Sequence, residues 1–291
     1  MPTDRTTDFL RELLVRQLTT WLPAALQRSR RATVAVTWAG GAEAALRVIA
    51  GQADQLRGRR VTVLVLADGA PDLAARLGPV EAELPAEVTV HLLPGNPDRL
   101  PVAVKAAGAA GAPLFSFVDL PGAATPELLT AASNGRAGEV LLHAGSGARD
   151  ALLAANFPLV AEVAPVFPDG EAGVIAFGSR SDRSLEAVRD ALWAVGADLD
   201  VRYRDPVDPA GAPVDVAADP DPGSLARELL AELRRGGSRP VTDLRRHTLT
   251  ATVYRAADAN RALAALIEAG DVRREREGGR LAGDEIITVR R

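Results

Sequence analysis

The sequence contains no cysteine, which removes disulfides, thiolate nucleophiles and thiolate zinc sites and leaves only histidine and carboxylates as metal ligands. Its three histidines, His91, His143 and His247, fall on three separate segments without metal-site spacing, so no metal is expected. Aromatic residues make up only 4% of the chain, and a core must therefore come from many aliphatic contacts. Lysine occurs once, at Lys105. No apolar run approaches the ~18 residues of a membrane span, and the opening MPTDRTTDFLRELL carries acids and no signal-type apolar core. The expectation is a cytoplasmic protein without a membrane role.

Ala, Leu, Val, Gly and Arg are abundant over the 291 residues, enough for one substantial core and a smaller second one. Charge is unevenly divided. Residues 224–291 hold 14 Arg against 10 Asp plus Glu, a balance of +4, and since the whole chain carries −4, residues 1–223 carry −8. The asymmetry suggests a different partner for the C-terminal part, although alternating signs such as Arg273-Arg274-Glu275-Arg276-Glu277 also suit a solvated surface.

Thr7–Leu26 places Phe9, Leu10, Leu13, Leu14, Leu18, Trp21 and Leu22 at helical spacing, giving an N-terminal helix (1–30) packed on the core and bent or ended at Pro23. From residue 31 an alternation begins, with strand-like runs at Thr33–Trp38, Val61–Ala67, Val88–Leu93, Leu114–Asp119 and Glu139–His143. The helical segments between them are Ala42–Leu56, Asp72–Leu84, Leu100–Gly108 and one starting near Pro126. Runs such as VTVLVLA are continuously apolar, as strands covered on both faces are. The expected fold over 31–204 is therefore α/β, a doubly wound, mostly parallel Rossmann-like sheet. A helix-like stretch Ala148–Asn156, a proline-punctuated segment Phe157–Pro168, a strand Gly173–Phe177, a helix Leu185–Val195 and a short strand Val201–Tyr203 complete it. The Pro-, Asp- and Gly-rich segment 205–223 reads as an exposed linker. Beyond it, helices Leu225–Arg235, Val241–His247 and Arg255–Ala269, a strand Asp271–Glu275, a Gly278-Gly279 turn and a strand Ile286–Val289 describe a winged-helix-like domain, 224–291.

In such a sheet, ligands sit beyond the carboxyl ends of the strands. The loops to watch are Trp38-Ala39-Gly40-Gly41, Ala67-Asp68-Gly69, Pro94-Gly95-Asn96, Asp119-Leu120-Pro121-Gly122 and Ala144-Gly145-Ser146-Gly147. Gly40 and Gly41 permit close backbone approach, Asp68 could accept ribose hydroxyls, and the Asn96 amide could meet a base edge. Each also fits an ordinary turn. Asp119 ends a very apolar strand, where a carboxylate needs a reason, either chemistry or helix capping. Ser146 lacks a GxSxG context and any paired base. His143 ends a central strand and could face the crevice.

Together these loops resemble those of the three-Cys-motif partner proteins, a bacterial group with a class I methyltransferase-like sheet and a helical C-terminal region, over most of the chain. The family's first-loop pattern D-G-F-A-G-x-G is matched by Val36-Thr37-Trp38-Ala39-Gly40, which keeps aromatic–Ala–Gly and lacks the leading acid and glycine. Its F-I-D-P-F-G pattern is matched by Phe117-Val118-Asp119-Leu120-Pro121-Gly122, and its K-x-A-M-W helix by Arg189-Asp190-Ala191-Leu192-Trp193. The resemblance implies S-adenosylmethionine as cofactor, with Trp38, Ala39 and Gly40 near its methionine part, Asp68 on the ribose, Asn96 on the adenine and Asp119 as the catalytic, substrate-side carboxylate. Val36 stands where the family has the acid that helps hold the donor's ammonium group. Two functions stay open: a methyltransferase, active or diverged, and a non-catalytic regulatory or scaffold protein binding DNA or a protein partner through its C-terminal domain. For that second function Arg255, Asn260 and Arg261 on a recognition helix and Arg273, Arg274 and Arg276 near a wing are the candidate contacts.

Overall fold

A computed structural model describes residues 5–290 apart from Pro121, Asp169, Glu277 and Gly278. Pro121 of the fourth loop, and Glu277 and Gly278 of the C-terminal hairpin, thus lie outside the described residues.

The chain begins with α1 (Arg5–Arg28), whose apolar stripe Phe9, Leu10, Leu13, Leu14, Leu18 and Leu22 is buried. The helix runs through Pro23 instead of ending there. A proline cannot donate to the carbonyl four residues back, here Thr19, and the side-chain amide of Gln52 donates to that carbonyl instead, at 3.4 Å.

The alternation continues with β1 (Arg31–Val36), α2 (Ala39–Ala50), α3 (Ala53–Leu56), β2 (Arg60–Ala67), α4 (Leu73–Glu81), β3 (Val88–Pro94), α5 (Leu100–Ala106), β4 (Leu114–Asp119), α6 (Pro126–Ser133), β5 (Gly138–Ala144) and α7 (Ala148–Ala154). Then come β6 (Leu159–Phe167), β7 (Gly170–Glu171), β8 (Val174–Ser179), α8 (Asp182–Leu199) and β9 (Arg202–Arg204). The sheet order is β3-β2-β1-β4-β5-β8-β6-β7, with β9 also paired to β6. Strands β1 to β5 are mutually parallel, while β8 runs antiparallel to both β5 and β6. This is a mixed α/β fold around a large, mostly parallel central sheet. Helices α1, α2, α4 and α8 supply one buried apolar layer and α5, α6 and α7 the other, which is why the central strands are apolar on both faces.

Two segments depart from the sequence expectation. Phe157–Pro168 contains a nine-residue strand, β6, despite its prolines. The 205–223 segment is not wholly exposed, because Val216 is buried and the Val214 and Tyr203 backbones bond to each other.

The C-terminal unit comprises α9 (Gly223–Gly236), β10 (Arg239–Pro240), α10 (Val241–Ala251), α11 (Ala256–Ala269), β11 (Val272–Arg274) and β12 (Ile286–Val289). Its sheet is three-stranded and antiparallel, in the order β10-β12-β11, one strand more than the sequence suggested. Leu225, Leu229, Leu233, Leu244, Leu263 and Ile287 form its core. The carbonyls at the end of α10, which a helix cannot satisfy internally, are held from the other unit. Nη2 of the fully buried Arg189 donates to Leu249 and Thr252 at 2.9 Å each, Trp193 Nε1 donates to Val253 at 2.9 Å, and Arg149 donates to Thr250. Arg246 forks onto Asp182 with two 2.7 Å bonds, and the Arg255 guanidinium lies 3.9 Å over the Trp193 ring. No described helix is long and apolar enough to cross a membrane.

Candidate functional site

Strand order reverses between β1 and β4, so the crevice of a doubly wound sheet falls beyond their carboxyl ends. The parallel register brings Val36 beside Phe117 and Asp119 beside His143, and the loops after β1, β4 and β5 therefore converge on one edge. Trp38, the residue before α2, is half-buried just past the end of β1. Its ring lies 5.6 Å, centroid to centroid, from that of Phe117. A methyl group added at Gly40 or at Gly41 would lie 2.5 Å from that indole. The close approach that these glycines allow is thus used by the chain's own side chain, lying on the first turn of α2. Ala39 opens that helix.

Asp119 is only partly exposed, and its backbone amide donates to Thr37 Oγ1 at 3.3 Å. Its Oδ1 lies 2.7 Å from His143 Nδ1, while His143 Nε2 lies 2.7 Å from the carbonyl oxygen of Ala172. A carbonyl can only accept, so Nε2 carries a proton, and the carboxylate beside Nδ1 favours a second proton there. Burial lowers the His143 pKa, but the bonds to Asp119 and to Ala172, with the Asp119 charge, together raise it above the ordinary value. The pair is a clamp joining β4, β5 and the segment before β8, with neither ring nitrogen free as a base. Neither Asp119 nor its neighbours cap a helix: α6 is capped by Thr125, whose side chain accepts from the Leu128 amide.

The remaining predicted donor-site residues are less engaged. Asp68 is exposed and accepts from the Gly69 amide at 3.0 Å, within a turn where Gly69 has φ +66. Asn96 is exposed, and its amide nitrogen lies 3.5 Å from Asp98. Both stand at the carboxyl ends of β2 and β3, on the same edge as Trp38.

Sequence reasoning missed a second cleft on this edge, of about 450 Å³, lined by Ser146, Arg149, Asp150, Glu162, Arg204 and Asp205 among others. Burial pushes the Glu162 carboxyl above its usual range despite the opposing charge and backbone bond of Arg149. Burial likewise raises that of Asp205. The signal was the single acid in the strand sequence LVAEVAPVF. Among the described residues no group of three or more His, Asp or Glu side chains is arranged to hold a metal ion.

In the C-terminal unit, five of the six candidate contact residues are occupied within the chain. Arg255 bonds Asp258 and covers Trp193; Arg261 bonds Asp219, Asp258 and the Pro220 carbonyl; Asn260 accepts from Arg245. Arg274 forks onto the buried Glu285 with two 2.7 Å bonds, holding that carboxyl below its usual range, and Arg276 pairs with Asp284 at 2.8 Å. Arg273 is exposed on β11 with no ion pair among the described residues. The outer face of α11 presents Ala257, Arg261, Ala264, Ala265, Glu268 and Ala269.

The chain matches no protein-family model and no curated protein.

Proposed function

We propose that this chain is a three-Cys-motif partner-like protein with a class I methyltransferase-like sheet whose S-adenosylmethionine site is diverged and filled from within, so that it serves as a non-catalytic scaffold or regulatory protein. One observation carries the reading: the Trp38 indole lies over Gly40, Gly41 and Phe117 at the point where strand order reverses, the place where a doubly wound sheet receives its ligand. The loss of the first-strand acid at Val36 and the engagement of Asp119 with His143 support it.

The winged-helix-like reading of the C-terminal unit draws support from its element order and three-stranded sheet. A protein partner suits this unit better than DNA. Its arginines are mostly spent on internal acids, and a recognition helix whose exposed face is mainly alanine, with Glu268 and an Arg261 already bonded to Asp219 and Asp258, offers a duplex few free donors and a repelling charge.

Calorimetry and thermal melting with S-adenosylmethionine and S-adenosylhomocysteine test the proposal. No heat and an unchanged melting temperature are expected at about 1 mM ligand, where a competent site with a micromolar Kd would raise stability by several kcal/mol. Saturable binding overturns it in favour of an active methyltransferase with Asp119 on the substrate side.

A further inference from the structure

The sheet ends at β3, and among the described residues no strand pairs with its outer edge. Two bonds fix which way its backbone faces: the Val61 amide donates to Glu87 O, and the Gly95 amide to Ala67 O. In a parallel ladder the bonding positions recur every second residue, so Glu87, Thr89, His91, Leu93 and Gly95 turn their peptide groups toward β2. Val88, Val90, Leu92 and Pro94 turn theirs outward. The Val88 amide is taken by the Pro85 carbonyl in the preceding turn, and Pro94 has none. Two amides, of Val90 and Leu92, are left pointing at solvent from a strand of sequence VTVHLLP. Exposed edges are normally blunted by charge, proline, a bulge or a covering element; β3 has no lysine, arginine or acid, its one proline stands at the last position, and Leu92 is 39% exposed.

We propose that β3 pairs antiparallel with β3 of a second copy of this chain, across a two-fold axis at His91, to make one continuous sheet. In that register the Val90 amide donates to the Leu92 carbonyl of the second copy and the Leu92 amide of the second copy returns to the Val90 carbonyl. The symmetry repeats the exchange. Val88 and Pro94, the outward positions that cannot donate, face each other, so no donor is stranded.

Charge selects this register. It sets Glu87 opposite Gly95 of the second copy, and the Arg99 side chain lies against Gly95, since a methyl group added there would be 2.6 Å from Arg99 Cδ. Glu87 closes the turn before β3 and Gly95 follows its last residue with φ +130, so the pairing brings the Glu87 carboxylate to the strand end against which Arg99 lies. Neither Glu87 nor Arg99 has an ion pair among the described residues, and the pairing joins them twice. Moving the axis to Val90 would place Glu87 opposite Leu93 and leave both charges alone. This association is independent of whether the crevice binds a methyl donor.

Sedimentation of the full chain at about 1 to 100 μM is expected to show a mass twice 30.4 kDa. Val90→Pro, which removes an outward amide and leaves the β2 ladder its donors, is expected to sediment as a monomer. Glu87→Arg is expected to weaken the dimer by about tenfold, and adding Arg99→Glu to restore it without relying on the proline variant folding. A monomer at every concentration overturns the proposal. So does a dimer that neither Val90→Pro nor Glu87→Arg disturbs, since the contact then lies elsewhere.

Discussion

At the scale of single residues the sharpest consequence concerns His143. Its two ring nitrogens face a carboxylate and a carbonyl, each at 2.7 Å, so the folded chain holds its proton more tightly than the unfolded chain does. A histidine pKa raised by folding contributes stability in full below its unfolded value, about 6.5, and loses it as pH climbs through the folded value. His143→Gln is therefore expected to cost about 2 kcal/mol at pH 5.5, in line with hydrogen bonds to charged groups, and progressively less toward pH 9. Urea denaturation of both proteins at each pH measures the gap; a gap that widens with rising pH would refute the charged pair. The sequence marked Asp119 and His143 separately, as strand-ending residues. It could not join them, because their contact depends on the β4–β5 register, which aligns positions 24 residues apart. Trp38 was harder still: the aromatic–Ala–Gly pattern was visible, while the placing of the indole beside Phe117 depends on the pairing of β1 with β4.

At the scale of elements, β1 to β5 were legible because a strand buried on both faces is a continuous apolar run, and each of the five appears within a few residues of its expected bounds. Two elements were obscured by proline. Across Pro23 the Thr19 carbonyl of helix α1 takes its donor from a side chain 33 residues further on, Gln52, information no local window contains. Strand β6 survives Pro165 because its neighbour Tyr203 exchanges both backbone bonds with Val214 on its far side, so nothing across that pairing asks the proline for a donor. Helix α8 reaches further than its apolar spacing reveals. Arg189 and Trp193 satisfy carbonyls at the end of α10, and burial of the guanidinium lowers its pKa to about 10, so it stays charged at neutral pH. Arg189→Ala would strand two carbonyls and open a cavity, with an expected loss of about 3 kcal/mol in urea denaturation. Trp193→Phe removes one bond and keeps most of the ring, and about 1 kcal/mol is expected. Equal losses for the two variants would mean that packing, not carbonyl capture, sets the contribution of α8.

At the scale of the whole molecule, sequence composition separated a −3 body, residues 1–204, from a +4 C-terminal unit by a Pro-rich segment whose five Asp give it −5, which suggests two bodies on a tether. The structure argues for one cooperative body. Arg149, Arg189 and Trp193 bond carbonyls across the boundary, Arg246 and Asp182 pair over it, and the intervening segment is pinned by Val214 to Tyr203 and by Asp219 to Arg261. The α10 carbonyls have these side chains as their partners, so detaching the C-terminal unit gives up these bonds at a net cost of about 1 kcal/mol each. Those costs fall together only if both units open together. Calorimetry of the full chain is accordingly expected to show a single transition whose van't Hoff and calorimetric enthalpies agree. The combined variant Arg189→Ala, Trp193→Ala and Arg246→Ala should split it in two, with the smaller unit melting first because it buries less apolar surface per residue. Two separate transitions in the unaltered protein would instead make the two units independent, and would remove the reason for Arg189 to be buried with its Nη2 on the α10 carbonyls.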